Sequence, residues 1–203
     1  MSYPRVILIG GAPMSGKTTV AHRLAATLGC GCLSTDDLGE AIRAVTTKDS
    51  HPHLHPMDGY DYREYYVTRS PDALIADISL EHRALWPALQ SVIRTHATWG
   101  APIVMEGWSL WPERVTELQL PSVCSLWFVA DEQTLRERLV KAVEFYRGAS
   151  DEEAMIDHYL ARSFWYNARL KEAVKKFGLA SIELPPQAPA HKIVEMCLEQ
   201  LKR

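Results

Sequence analysis

A glycine-spaced run near the start of the chain, Gly11-Ala12-Pro13-Met14-Ser15-Gly16-Lys17-Thr18, constrains the fold more than any other stretch. It follows an apolar segment at 6–9 and precedes a segment in which Val20, Leu24 and Leu28 recur at helical spacing before Gly29. A strand, a tight loop and a helix N-terminus in that order aim backbone N–H groups at one point, and anions collect there. Glycines let such a loop wrap closely. The spacing therefore reads as a phosphate cradle formed by Gly11, Ala12, Pro13, Met14, Ser15, Gly16, Lys17, Thr18 and Thr19. In that reading Lys17 reaches the β- and γ-phosphates of a nucleotide, and the Thr18 hydroxyl enters a magnesium shell.

Further apolar runs at 30–33, 103–105, 123–129 and 179–184 alternate with longer helix-like stretches, the pattern of a parallel sheet with crossover helices. Helix starts are expected at Ser70-Pro71, with proline at the first helical position, and at the Ser150-Asp151-Glu152-Glu153 capping box. Pro87 interrupts a helical pattern running from 72 to about 99, so that helix is expected to kink or divide. The 203 residues suit one α/β domain. Within it, the turn-rich segment at about 46–70 reads as a substrate-binding insertion over the active-site face, and about 136–162 reads as a lid. Pro185-Pro186-Gln187-Ala188-Pro189 is a short stiff connection.

Composition narrows the partners. Apolar residues make up 47% and charged residues 23%, with a net charge of −3, as in a soluble globular chain without broad attraction for nucleic acid or acidic membranes. No apolar run approaches the roughly 18 residues of a membrane span, and the N-terminal apolar stretch is too short for a signal segment. Cys30, Cys32, Cys124 and Cys197 lack the paired spacing of a zinc or redox motif, so a reducing, cytoplasmic setting is expected. The tryptophans have no accompanying basic stripe, which argues for packing rather than for nucleic-acid binding.

In open parallel sheets, ligands bind beyond the carboxyl ends of the strands, so polar residues at those ends are the first catalytic candidates. The second strand ends in Ser34-Thr35-Asp36-Asp37, and the third in Glu106-Gly107. Asp37 with Glu40 reads as a capping pair, leaving Asp36 to accept a proton from an attacking hydroxyl or to bind substrate. Glu106 is placed to hold magnesium or substrate. Arg136, Arg138, Arg147 and Arg162 flank a hinge at Arg147-Gly148-Ala149-Ser150; of these Arg147 is the favoured lid arginine, at the end of a helix that starts near Glu132. In the insertion, Arg63 is the candidate for an anionic acceptor. His51-Pro52-His53-Leu54-His55 has no supporting cysteine or carboxylate motif for a metal site. Asn167, within a helical apolar stripe, reads first as a satisfied core amide and second as a substrate-orienting group.

Taken together, the cradle at 11–18, Ser34-Thr35-Asp36-Asp37-Leu38 and Met105-Glu106-Gly107 resemble the P-loop small-metabolite kinases, the group with adenylate, gluconate and shikimate kinases. The nearest type by motif is 2-phosphoglycerate kinase. The resemblance implies a three-layer fold with a five-stranded parallel sheet in the order 2-3-1-4-5, ATP and Mg2+ at the cradle, and an acceptor pocket beside Asp36 and Glu106. It also implies transfer of the ATP γ-phosphate to a hydroxyl of a small polar or anionic metabolite, with Lys17, Asp36 and Arg147 catalytic. On the reading of the residues themselves, Arg63, Glu106 and Arg162 are expected to bind the acceptor, and Thr18 and Glu106 the metal; the insertion that carries Arg63 has no counterpart in the resemblance. Two alternatives stay open: a regulatory ATPase without an acceptor, and a kinase acting on an antibiotic, a nucleoside or an RNA end.

Overall fold

The computed structural model describes residues 3–185 and 187–202, so Pro186 of the proline-rich connection lies outside the described residues. Strand β1 (Val6–Gly11) is buried along its whole length, the signature of a central strand in a parallel sheet. It pairs in parallel with β3 (Ile103–Glu106) on one side and β4 (Val123–Val129) on the other. Strand β2 (Gly31–Ser34) extends the sheet beyond β3, and β5 (Ser181–Glu183) extends it beyond β4. The five strands thus lie in the expected order, β2-β3-β1-β4-β5.

The register brings the candidate acids together. Ile9 lies opposite Glu106, and Glu106 lies opposite Ser34, so the carboxyl ends of β1, β3 and β2 finish side by side. The chain leaves β1 into the glycine-rich loop and leaves β2 directly into helix α2 (Thr35–Arg43). Close packing at these ends depends on glycine. A Cβ at Gly10 would overlap the Trp127 ring on β4, and one at Gly107 would collide with the Thr35 side chain. Gly107 also sits at φ +154°. Gly107→Ala is accordingly expected to cost about 1–3 kcal/mol by overpacking, lowering Tm by several degrees. Thermal unfolding of the variant would check this; an unchanged Tm would contradict the packing described.

Helix α1 (Lys17–Leu28) ends at Gly29, whose left-handed backbone, φ 67°, lets its N–H reach the carbonyls of Ala25 and Ala26. Helix α9 (Ala190–Gln200) packs against α1. A second group of helices comprises α4 (Pro71–Thr98), α5 (Pro112–Glu117) and α8 (Glu152–Phe177), with α8 lying on β4. No helix among the described residues is long and apolar enough to cross a membrane.

Several sequence expectations need correction. Helix α4 is not divided at Pro87 but runs through it. Proline inside a helix costs about 3 kcal/mol. Leu85, Trp86, Leu89 and Ile93 around it are buried, at roughly 1.5–3 kcal/mol each, so packing outweighs the proline. Ser34, not Asp37, caps α2, its hydroxyl accepting from the Asp36 N–H at 3.1 Å, while Glu40 pairs with Arg43. Asp151, not Ser150, caps α8 by accepting from the Ala154 N–H at 2.9 Å. The helix expected to run from Glu132 to Arg147 is broken at Ala142 into α6 (Glu132–Lys141) and a single turn, α7 (Val143–Tyr146). The cap at Ser70 and the first-turn Pro71 of α4 are as expected.

Candidate active site

The cradle is built by the turn from β1 into α1. Met14 and Gly16 adopt positive φ, 63° and 83°, which curls the loop, and the Ser15 N–H closes it on the Ala12 carbonyl at 3.2 Å. The Lys17 ammonium, 8% exposed, folds back to donate to the Ala12 carbonyl at 2.9 Å. Burial lowers its pKa, and the negative charges of Glu106 and Asp36 raise it. From outside, Arg138 of α6 donates to the carbonyls of Met14 at 3.1 Å and Ser15 at 2.8 Å, fastening the loop. The buried Ser15 hydroxyl has no hydrogen-bond partner among the described residues. Such a group is costly to leave unpaired, and a phosphate oxygen would satisfy it. A cavity of about 350 Å³ adjoins the loop, lined by Gly16, Thr19, Arg138, Ala190 and Ile193 among others.

Two carboxylates face Lys17. Glu106, 3% exposed, accepts from the Thr18 hydroxyl at 3.1 Å. Burial pushes its carboxyl above the ordinary value; Lys17 pulls it down, and Asp36 adds to the rise. Asp36, in the first turn of α2, is open to a cleft. Burial by the surrounding protein raises its pKa too, against the opposing charges of Lys17 and Arg43 and the Trp108 indole. Lys17 therefore acts through its charge on two acids at neighbouring strand ends, while its own hydrogen bond goes to Ala12. Thr18 and Glu106 together offer hard oxygen donors, the chemistry that magnesium requires. Among the described residues no cluster of three or more His, Cys, Asp or Glu side chains is placed to hold a metal by itself.

Asp36 also forms part of the wall of a second cavity, of about 230 Å³. Thr35, Ser109, Trp108, Tyr66 and Arg162 contribute to its lining, as does Arg43, which is already neutralised by Glu40 and Glu81 at 2.6 and 2.7 Å. Arg162 is 4% exposed, donates to the Tyr66 hydroxyl at 2.9 Å, and lies 4.6–4.9 Å from the ring centres of Trp108, Tyr66 and Tyr159. Its Nε has no hydrogen-bond partner among the described residues. A caged guanidinium with a spare donor is a ready anion anchor.

The remaining candidates fall elsewhere. Arg63 does not reach this cavity: its guanidinium lies 4.5 Å from the Tyr62 ring and donates to the Glu144 carbonyl at 3.4 Å. Arg147, largely exposed, pairs with Glu144 at 2.9 Å, the favourable ion pair of an i, i+3 helical spacing. The break at Ala142 turns this segment away from the course of α6, and the arginine that touches the cradle is Arg138 instead. Arg136 pairs loosely with Asp157 at 3.7 Å.

The segment at 46–70 carries a 3₁₀ turn at Pro52–Leu54 and helix α3 (Tyr62–Thr68). Tyr65 and Tyr66 of α3 join Leu74, Leu139, Met155, Tyr159 and Leu160 in a second apolar cluster. Insertion and lid are tied together directly, since Glu64 accepts from the Ser150 N–H and hydroxyl at 2.8 and 2.6 Å, and Tyr62 donates to the Phe145 carbonyl at 2.9 Å. Among the histidines, His55 is buried between Thr46, at 3.0 Å, and Asp58. Asn167 donates to the Ala130 carbonyl at 2.8 Å, joining α8 to the end of β4.

Trp108, assigned from sequence to packing, proves to line the cavity and to stack on Arg162. Its position two residues beyond Glu106 was the available signal.

A family model described as an AAA domain matches residues 6–162, a span that includes the cradle, both carboxylates and Arg162. The chain belongs to this family. The chain is 24% identical over 191 residues to a 2-phosphoglycerate kinase of Pyrococcus horikoshii, covering 90% of this chain and 60% of that protein. It is 25% identical over 207 residues to a 2-phosphoglycerate kinase of Methanocaldococcus jannaschii, covering 98% of this chain and 65% of that protein. The chain thus spans less than two thirds of the length of these relatives. Among solved structures, a gluconokinase from Sinorhizobium meliloti superposes with a TM-score of 0.59 at 18% identity, covering 100% of this chain and 94% of the other. A shikimate kinase from Aquifex aeolicus gives 0.56 at 16% identity, with 97% and 96% covered. At such identities these likenesses establish the fold, a P-loop sheet flanked by helices.

Proposed function

We propose that this chain is an ATP-dependent phosphotransferase that moves the γ-phosphoryl group to a hydroxyl of a small polar or anionic metabolite. The observation that carries the reading is the position of Asp36: it faces the Lys17 end of the cradle and at the same time forms part of the wall of the 230 Å³ cavity that holds Arg162. A phosphate donor site and an acceptor-sized cavity thus share one carboxylate. The names of the curated relatives support the same reaction class.

Phosphoryl transfer asks a protein mainly for positioning and for stabilisation of charge on the transferring oxygens. In the proposed mechanism the loop amides and Lys17 hold the β- and γ-phosphates, and the base and sugar occupy the cavity beside Thr19 and Arg138. Asp36, a carboxylate raised above its ordinary range, accepts the proton of the attacking hydroxyl. Arg162 anchors an anionic group of the acceptor, and Ser109 and Tyr66 offer hydroxyls to its polar atoms. Thr18 and Glu106 would hold magnesium, which when bound supplies neutralising charge to the phosphates. Arg138 holds the loop closed rather than reaching the acceptor. The insertion at 46–70 and the lid at about 136–162 supply Tyr66 and Arg162 and close the acceptor side of a single domain.

A screen of hydroxylated and phosphorylated metabolites with γ-labelled ATP tests the proposal. Label is expected on a compound small enough for the cavity and bearing a carboxylate or phosphate, with Arg162→Lys raising its KM more than it lowers kcat. ATP hydrolysis with no labelled acceptor would favour the regulatory ATPase instead.

A further inference from the structure

A third cavity, of about 280 Å³, lies where α4, α5 and α8 meet, and its lining shares no residue with the acceptor cavity. Three guanidinium groups, Arg83, Arg114 and Arg169, contribute to its walls, with Glu113 as the acidic member. None of these three arginines forms a salt bridge among the described residues. Arg114 and Arg169 instead rest over the rings of Trp86 and Trp165, at 5.7 and 5.9 Å. Three cations gathered around one concavity repel one another, and an anion between them relieves that repulsion.

The second observation lies in the wall. His82, 2% exposed, lines this cavity, and its Nδ1 accepts from the Trp111 indole N–H at 2.9 Å. An indole nitrogen only donates, so the imidazole proton resides on Nε2. Burial, reinforced by the charges of Arg162, Arg114 and Lys17, holds the His82 pKa down to about 3, which keeps the ring neutral. The Nε2–H is therefore a buried donor, and it has no acceptor among the described residues. Nε2 itself is closed to the cavity, so His82 serves as a neutral part of the wall and sets no charge against the three guanidinium groups.

We propose that this cavity is a second anion site, distinct from the cradle and the acceptor pocket, that binds the phosphate group of a small phosphorylated metabolite or free phosphate. Arginine forks match phosphate oxygens bidentately, and the Trp111 and Trp165 rings supply flat apolar walls for a short carbon skeleton. The site stands behind the segment that follows β3. Trp111 borders the site, and Trp108 on the same segment stacks on Arg162 of the acceptor cavity.

The test uses the full chain with ¹⁵N-labelled indoles, saturated with magnesium and a non-hydrolysable ATP analogue so that the cradle is filled. Inorganic phosphate and glycerol 3-phosphate are titrated separately, against sodium chloride at matched ionic strength. Each indole signal is assigned by a single Trp→Phe replacement. The Trp111 and Trp165 signals are expected to shift and saturate with at least one of the two phosphate probes but not with chloride. In R83A/R169A, which alters two exposed side chains, binding is expected to weaken about tenfold or more while binding of the ATP analogue is unchanged. If the ester binds more tightly than phosphate, the site serves a phosphorylated metabolite; the reverse order assigns it to free phosphate. Signals that stay still with both probes, shift equally with chloride, or shift equally in the double variant would overturn the proposal.

Discussion

Lys17→Ala is expected to lower ATP-dependent phosphoryl transfer by about two to three orders of magnitude, the usual consequence of deleting one preorganised charge at a reacting phosphate. It is also expected to remove most of the thermal stabilisation that ATP confers. The first effect follows from the position of the ammonium. Lys17 is buried and held to the Ala12 carbonyl at 2.9 Å, so in the proposed reaction it would meet a phosphate already oriented and largely stripped of water. The second follows from linkage. A ligand at about 100 times its Kd adds about 2.7 kcal/mol to folding stability, roughly 5–10 °C of Tm for a chain of this size. Scanning calorimetry of wild type and variant, each with and without ATP and magnesium, reads both the shift and the integrity of the apo fold. A variant that keeps the wild-type shift would mean that the loop at 11–18 does not hold the phosphates.

The loss of Lys17 also has an electrostatic consequence that alanine at a less connected site would not. Lys17 is the first of the charges that pull Glu106 and Asp36 down against burial. Without it, both carboxyls titrate at higher pH. An acid whose folded pKa exceeds its unfolded value contributes no penalty below the unfolded pKa and a full penalty above the folded one. The penalty arising from these two carboxylates in Lys17→Ala is thus expected at neutral pH and not at acidic pH.

Much of this site is legible in the sequence because it lies where local patterns and sheet topology agree. The apolar run before Gly11 and the helical spacing after Gly16 mark β1 and α1 without tertiary information. Asp36 and Glu106 are identifiable because parallel strands deliver their last residues to one edge, and the Ile9–Glu106–Ser34 register does this. What the sequence conceals depends on long-range packing. In the sequence Arg162 is one arginine among four near a hinge, yet Tyr66 and Trp108, both distant in sequence, join Tyr159 of its own helix in caging it at the cavity wall. Arg63 looked well suited to an anion but is diverted by its neighbour Tyr62 and by Glu144 across the fold. Arg147 stands at the hinge of 147–150 as read, but its guanidinium is largely exposed and pairs with Glu144, a contact that spacing across a helix break does not reveal. Helix caps were misplaced by one to three residues because capping depends on which residue is extended, and spacing alone does not reveal this.

Asp36→Asn separates the chemical role of Asp36 from its structural one. Asparagine keeps the size of the side chain, and the hydrogen bond from residue 36 to the Ser34 hydroxyl uses the backbone N–H, so the start of α2 should survive. ATP-dependent thermal stabilisation is expected to remain, because Lys17 and the loop amides are untouched. Transfer to the acceptor is expected to fall by about 10²–10⁴ in kcat/KM, the range associated with loss of a positioned general base. The pH profile carries a further signature. In the wild type the acidic limb belongs to the coupled Asp36–Glu106 pair and lies above the ordinary carboxylate range, since burial raises both groups. In the variant the remaining limb should move to lower pH, because the negative charge of Asp36 is one of the causes that raise Glu106. A purely structural role for Asp36 would instead lower Tm and leave kcat/KM of the folded variant near the wild-type value, with the limb still moved by the lost charge. Retained transfer in the folded variant would mean that the proton of the acceptor hydroxyl leaves by another route, and the carboxylate in the wall of the acceptor cavity would lose its assigned part in the reaction.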